Sequence, residues 1–537
     1  MPVKYNYLLS NLIFGLVSIL FWNSIFAAHH NGTEAERPNI ILFIVDDMGW
    51  QDTSVAFHEI KTPFNEIIDT PNMERLAASG VLFTQSYTAS PVCTPSRTSI
   101  MTGQHPARNN ITNWTLHNSV EQQETAPEHY PLRSPNWNVS GLQPHDLTLP
   151  ELLRESGYRT IHIGKAHFGA LNTPGADPLN LGFDINIAGH AAGAPGSYYG
   201  VHDFKRNADE ESVWDVPGLE EYHGTHLNLT EVLTLEAKKA IAEAVEENRP
   251  FFMNLAHYAI HTPIQADSSF IDNYKDMDPT EAAYFSMIEG MDHSLGMILD
   301  ELERLEIDNN TLIIFTSDDG ALSAHTRGQT VLGTGLNTHN LPLISGKGSA
   351  YEGGSRVPLI FAWGRSAEYY SSQQTLQIEP GSRLDTPVFS TDLFPTIVEL
   401  AGSGIPDSHI HDGKSMLPLM NGQGLDEENR HRSLFWHYPH KWGPVGPGID
   451  PYTSVRRGDW KLIYFYDRAK WELYNIKEDI SETRNMIRRS PDIALELSEE
   501  MNRWMKDVDA QLPIKKETGE PVHFPCIYTI NICILKK

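Results

Sequence analysis

The sequence predicts an α/β fold: a large mixed, mostly parallel sheet flanked by helices, with a smaller C-terminal α+β domain. Three observations predict it. The run Asn39-Ile40-Ile41-Leu42-Phe43-Ile44-Val45 is almost wholly apolar, as a strand buried on both faces of a parallel sheet must be, and Thr311-Leu312-Ile313-Ile314-Phe315 repeats the pattern far downstream. Between them, stretches with helical spacing alternate with short apolar runs, which is the βα alternation of such a sheet. Near 421–432 the composition shifts to Gly, Asp, Glu, Asn and Arg, and mostly short strands follow.

The chain has 537 residues, of which 40% are hydrophobic and 20% charged, ordinary proportions for a globular enzyme with a large core. Its formal net charge of −28 argues against nucleic acid or an anionic membrane surface as partner. At the start, Lys4 precedes an apolar run over 8–22, and the small residues Ala27 and Ala28 follow. This predicts a signal peptide over 1–28 and export to the periplasm or medium, with an uncleaved N-terminal anchor as the alternative. Cys93, Cys526 and Cys533 are the three cysteines, so disulfides do not build the fold; Cys526 and Cys533 can pair, leaving Cys93 free.

The expected units are a catalytic α/β domain over 36–425, a C-terminal domain over 430–515 and an unassigned tail over 516–537. In order, 72–79 reads as a helix closed by Gly80, and 109–138 as a polar loop able to line a cleft. A helix over 149–156 and a strand over 158–163 run into Gly164-Lys165-Ala166-His167, where Lys165 and His167 alternate and face one side. The Gly/Ala/Pro-rich stretch 181–199, with His190, reads as a pocket loop. A helix over 230–248 precedes the strand 251–256, which leads to His257 and His261. The stretch 281–305 repeats apolar residues at helical spacing, so its methionines are core filling. A flexible glycine-rich segment over 346–358 carries Lys347, then come a strand over 359–361 and a helix over 390–401. Strands over 433–438, 452–455, 460–465 and 471–474 and a helix over 491–508 make the C-terminal unit. Its cluster Trp436-His437-Tyr438-Pro439-His440-Lys441-Trp442, like Asn113-Trp114, suits either stacking on sugar faces or packing at a domain junction.

Two features carry chemistry. Each long apolar strand ends in an acidic pair, Asp46-Asp47 and Asp318-Asp319. In one parallel sheet all four carboxylates converge at the C-terminal edge, where open α/β sheets bind ligands. Four adjacent carboxylates repel unless they hold a hard divalent cation, and an all-oxygen set suits Ca²⁺ better than Mg²⁺. The second feature is Pro91-Val92-Cys93-Thr94-Pro95-Ser96-Arg97, which puts a cysteine and an arginine at the start of a short helix that Gly103 ends. Helix N-terminal amides and a guanidinium favour an anion such as sulfate or phosphate.

Cys93-Thr94-Pro95-Ser96-Arg97 resembles the C-x-P-x-R signature of the type I sulfatases of the alkaline phosphatase-like superfamily, and the ordered motifs look most like bacterial polysaccharide sulfatases. The resemblance implies that a formylglycine-generating enzyme oxidises Cys93 to formylglycine. It implies that Asp46, Asp47, Asp318, Asp319 and the modified Cys93 hold the metal, usually calcium. Arg97 then orients the formylglycine, His167 contacts its hydroxyl, and Lys165, His261 and Lys347 bind sulfate oxygens. Many members have Asn in place of Asp319. One hydroxyl of the hydrated aldehyde attacks sulfur, and loss of a proton from the other, toward His167, expels sulfate. The implied substrate is a sulfated carbohydrate. A phosphodiester or phosphonate monoester hydrolase of the same superfamily and a noncatalytic sulfated-glycan binder stay open as alternatives.

Overall fold

The computed structural model describes residues 37–59, 61–207, 209–322, 340–365, 371–424 and 431–527. The expected signal peptide, residues 425–430 of the linker and Cys533 lie outside the described residues.

Eight strands form the main sheet: β1 (Asn39–Val45), β2 (Val81–Phe83), β3 (Arg159–Gly164), β4 (Ile185–Ile187), β5 (Phe251–Ala256), β6 (Thr311–Ser317), β7 (Leu359–Trp363) and β8 (Ser382–Leu384), in the order β8-β2-β7-β6-β1-β5-β3-β4. All neighbours are parallel except β7, which runs antiparallel to both β6 and β2. The sheet is thus mixed and mostly parallel, as expected. β1 is central and buried along its whole length. Its alternate residues feed two cores: Ile41, Phe43 and Val45 pack with α2 (Leu229–Glu246) and α3 (Pro279–Arg304), while Ile40, Leu42 and Ile44 pack toward α1 (Cys93–Thr102) and Leu393–Leu400. Val45 pairs with Ser317 in register, so β1 and β6 release their acidic pairs side by side.

β4 and β8 were not foreseen. Both are three-residue edge strands without a buried face, and such segments carry no periodicity to read.

The C-terminal unit is an antiparallel meander, β9 (Ser433–Tyr438), β10 (Tyr452–Arg457), β11 (Trp460–Phe465) and β12 (Lys470–Asn475), with α4 (Pro491–Asp507) against it. Residues from the meander share a core with Tyr87, Ala89 and Val92, the segment that feeds Cys93. The Trp436 indole N–H donates to the Thr88 carbonyl at 2.8 Å. Trp436, His437, Tyr438 and His440 are all buried there, so they are junction packing and not a sugar platform. Below them lies a buried ionic network: Glu352 accepts from Lys461 at 3.0 Å and from the Tyr87 hydroxyl at 2.5 Å, and its backbone N–H donates to Glu482 at 2.7 Å.

The glycine-rich segment is packed, not flexible. Lys347, Ser349 and Glu352 are buried, and a short helix, Glu352–Ser355, interrupts the segment. A Cβ on Gly353 or Gly354 would strike the backbone of Ser345 or Ser349, so glycine serves close approach here.

Candidate active site

Asp46 and Asp47 leave β1 in a tight turn that puts Asp47 at φ 63. The Asp47 N–H donates to Asp318 at 3.2 Å, and Ser317 Oγ ties the two turns by accepting from Met48 N–H and donating to the Asp319 carbonyl, both at 2.9 Å. All four carboxylates are fully buried. Helix α1 begins at Cys93 after an extended Val92 and ends at Gly103 with φ 68, the left-handed cap its sequence called for.

Three cations meet these carboxylates. Arg97 Nε donates to Asp318 at 2.7 Å and Nη1 to the Lys165 carbonyl at 2.7 Å. Lys165 Nζ donates to both oxygens of Asp46 at 2.7 Å. Lys347 Nζ pairs with Asp47, lies 3.4 Å from Asp319 and donates to Cys93 Sγ at 2.9 Å. Burial pushes the carboxyls of Asp46 and Asp319 well above the ordinary range, against the pull of Lys165 and Lys347 respectively. At Asp47, burial is outweighed by Lys347 and His261, which hold it at about 2, and at Asp318 by Arg97 and Lys165, which hold it well below the usual carboxylate range. Burial raises the Cys93 thiol, so the free cysteine is a poor thiolate nucleophile in this setting.

Among the described residues, four carboxylates face three fixed cations, and one Asp47 oxygen and both Asp319 oxygens are buried without a hydrogen-bond donor. Ligand atoms of Asp47, Asp318 and Asp319 lie within 4.8 Å of one another, as do those of Asp46, Cys93 and Asp318. Orphaned buried carboxylate oxygens in an all-oxygen cluster fit a hard divalent cation.

The two histidines can be assigned protons from their partners. His167, at φ 55, has Nε2 at 2.8 Å from the Thr115 carbonyl, which only accepts, so the proton sits on Nε2. Its Nδ1 is buried without a partner among the described residues and is the bare acceptor. Burial, then Lys165, holds this imidazole neutral, and a Cβ on Gly193 would collide with its ring. For His261, Nδ1 lies 2.9 Å from the Thr262 carbonyl and 3.2 Å from the Thr262 hydroxyl. The carbonyl only accepts, so the neutral ring carries its proton on Nδ1 and leaves Nε2 bare, 3.6 Å from Asp47; Nε2 donates to an anion only when the ring is protonated. His257 instead meets Ser294 at 3.0 Å inside the core. His190 gives its carbonyl to the His167 N–H at 3.2 Å, and its ring does not line the cavity.

Cys93, His167, His261 and Lys347 line a cavity of about 350 Å³ walled by Gly193, Ala194, Thr262, Pro263, Leu322, Arg206, Trp114, Trp214 and Trp442. The loops 109–138 and 181–199 therefore do reach it. Lys165 and Arg97 lie behind that lining, with 0% and 1% of their surface exposed. Sequence reading missed Arg206 and Trp214, which sit in an irregular acidic stretch that carries no motif.

The family model for Sulfatase matches residues 38–403, and that for N-sulphoglucosamine sulphohydrolase, C-terminal, matches 346–511. N-acetylgalactosamine-6-sulfatase of Canis lupus familiaris is 31% identical over 444 residues, 77% of this chain and 75% of that one. A sulfatase of Formosa agariphila is 27% identical over 544 residues, 91% and 92% of the two chains. Among solved structures, Ps i-CgsB in complex with k-i-k-neocarrahexaose superposes with a TM-score of 0.68 at 27% identity, covering 88% of this chain and 93% of that one. With four carboxylates and three cations gathered around Cys93 and these relatives along most of its length, the chain belongs to the sulfatase family and is a sulfuric ester hydrolase.

Proposed function

We propose that the enzyme removes sulfate from a sulfated carbohydrate, with Cys93 matured to formylglycine by a formylglycine-generating enzyme and with Ca²⁺, or less well Mg²⁺, held by Asp46, Asp47, Asp318, Asp319 and residue 93. The observation that carries this reading is the meeting of four carboxylates and three cations at Cys93, beside a cavity with three tryptophans in its wall. Tryptophan faces suit sugar rings, and a relative solved with a carrageenan-type oligosaccharide and another named for a sulfated galactosamine support the substrate class.

A metal held by Asp46, Asp47, Asp318 and Asp319 would supply Lewis acidity toward a sulfate oxygen, and formylglycine at residue 93 would supply the regenerable oxygen nucleophile that a thiol is not. The chain does the rest. Arg97, clamped between Asp318 and the Lys165 carbonyl, holds residue 93 in place. Lys347 Nζ, already in contact with the residue 93 side chain, and Lys165 offset charge on the transferring group, and His261, protonated beside the bound anion, donates from Nε2 to a sulfate oxygen. A well-aimed donor of this kind is worth roughly 3 to 4 kcal/mol. His167 takes a proton at Nδ1, the atom its Thr115 contact leaves bare. Trp114, Trp214 and Trp442 exclude water around the leaving sugar oxygen.

The catalytic unit spans 36–425 and the C-terminal unit 430–515, the latter bracing the segment before Cys93 and lending Trp442 to the cavity. Among the described residues no helix is long and apolar enough to cross a membrane. The 1–28 leader would direct export to the periplasm or medium. The test is a panel of defined sulfated oligosaccharides, an aryl sulfate and a phosphate diester. Sulfate release fastest from one saccharide is expected, and faster turnover of the diester would overturn the reading.

A further inference from the structure

Among the described residues, and apart from Lys347, one cationic side chain of full charge lines the cavity. It is Arg206, and the sulfate-handling cluster does not use it. Its guanidinium carbon stands 4.9 Å from the centroid of the Trp214 ring, and both residues line the cavity. Stacking of this kind orients the planar fork and leaves its N–H edge free. Among the described residues no carboxylate pairs with that guanidinium. The arginines and lysines around Cys93 and Glu352, by contrast, are tied to acids.

The stretch that carries Arg206 is held from several sides. Asp215 accepts from the backbone N–H of Arg206 at 3.0 Å and from that of Ser212 at 2.9 Å, closing the loop on itself. The neighbouring Phe204 is fully buried, and Gly196 presses against the backbone of Lys205 and Arg206 so closely that a Cβ would collide. The flanking Asp209, Glu210 and Glu211 are exposed, so the loop as a whole is acidic and Arg206 is a single placed charge, not part of a basic patch.

We infer that Arg206, stacked on Trp214, binds a second anionic group of the substrate, a sulfate or carboxylate on the sugar that carries the scissile sulfate or on its neighbour, and so selects saccharides with two or more negative charges. The inference rests on the carbohydrate reading above. A charged pair of this geometry, shielded by a sugar against tryptophan, is strong enough to set preference between substrates that differ in one anion.

The test uses three saccharides of one backbone: the scissile sulfate alone, the same with a second sulfate, and the same with a carboxylate. Wild type is expected to show kcat/KM at least roughly tenfold higher for one or both doubly charged substrates, mainly through KM. Arg206→Gln is expected to collapse that ratio toward one, and Arg206→Lys to keep part of it. The two doubly charged arms separate a sulfate subsite from a carboxylate subsite. A ratio unchanged in Arg206→Gln, or no preference in wild type, overturns the inference while the carbohydrate reading stands. Turnover of an aryl sulfate with none of the saccharides cleaved overturns both.

Discussion

Lys347 Nζ lies 2.9 Å from Cys93 Sγ across 254 residues of sequence and pairs with Asp47 from the same position. One ammonium thus joins the nucleophile precursor to the acidic cluster. Cys93→Ala is expected to abolish sulfate release without changing the circular dichroism spectrum, and mass spectrometry of the wild-type peptide should find an aldehyde at residue 93. Lys347→Met is expected to lower kcat by on the order of 10² to 10³, the loss typical for one well-aimed donor.

Asp319 has both carboxylate oxygens buried without donors among the described residues, so it has the most to gain from a cation. Chelation should lower Tm as well as activity, because the carboxylates then repel. At a cation concentration about a hundredfold above Kd the bound ion contributes roughly 2.7 kcal/mol. Asp319→Ala should lose that stabilisation and the bound metal, measured by elemental analysis. Asp319→Asn keeps one ligand oxygen and should retain metal at lower affinity.

His167 donates from Nε2 to the Thr115 carbonyl and presents Nδ1 bare. His167→Ala should therefore reduce kcat by on the order of 10² to 10⁴ with a smaller effect on KM. A change confined to KM would show that the ring only binds.

Glu482 gives a stability signature of definite sign. Burial raises its carboxyl from 4.5 to about 7, against Lys461 and with help from Glu352. The folded state therefore holds a proton that the unfolded chain has released. The contribution of Glu482 is fully present below the unfolded value and is lost as pH rises through about 7. Glu482→Gln removes this dependence. Denaturant midpoints at about pH 5 and about pH 8 should show the variant gaining on wild type as pH rises, by on the order of 3 kcal/mol.

Trp436 joins the C-terminal sheet to the segment before Cys93. Trp436→Ala should cost about 3 to 5 kcal/mol in unfolding free energy. Trp436→Phe keeps a ring but strands the Thr88 carbonyl, and should cost about 1 to 3 kcal/mol.

Much of the scaffold was legible because its signals are local. The runs 39–45 and 311–315 are apolar at every position that a doubly covered strand needs. The stripe from Tyr284 to Leu302 repeats at helical spacing, and Gly103 stops α1 where a left-handed residue is required. Each acidic pair was visible as a cost that a strand end must offset. The Lys347 segment was less legible: its glycines signal flexibility and close packing alike, and only the backbone pressed against Gly353 and Gly354 separates the two.

The sequence by itself determined the long strands and helices, the acidic pairs and the nucleophile helix, because periodicity, caps and burial costs act over a few residues. The tertiary structure alone decided that β1 and β6 are neighbours in register, that Trp436 is buried while Trp442 reaches the cavity, and that Lys347 meets Cys93 and Arg206 stacks beside the same cavity. Those contacts depend on the order in which strands enter the sheet and on which loops its edge gathers. No local propensity encodes a pairing between residues hundreds of positions apart.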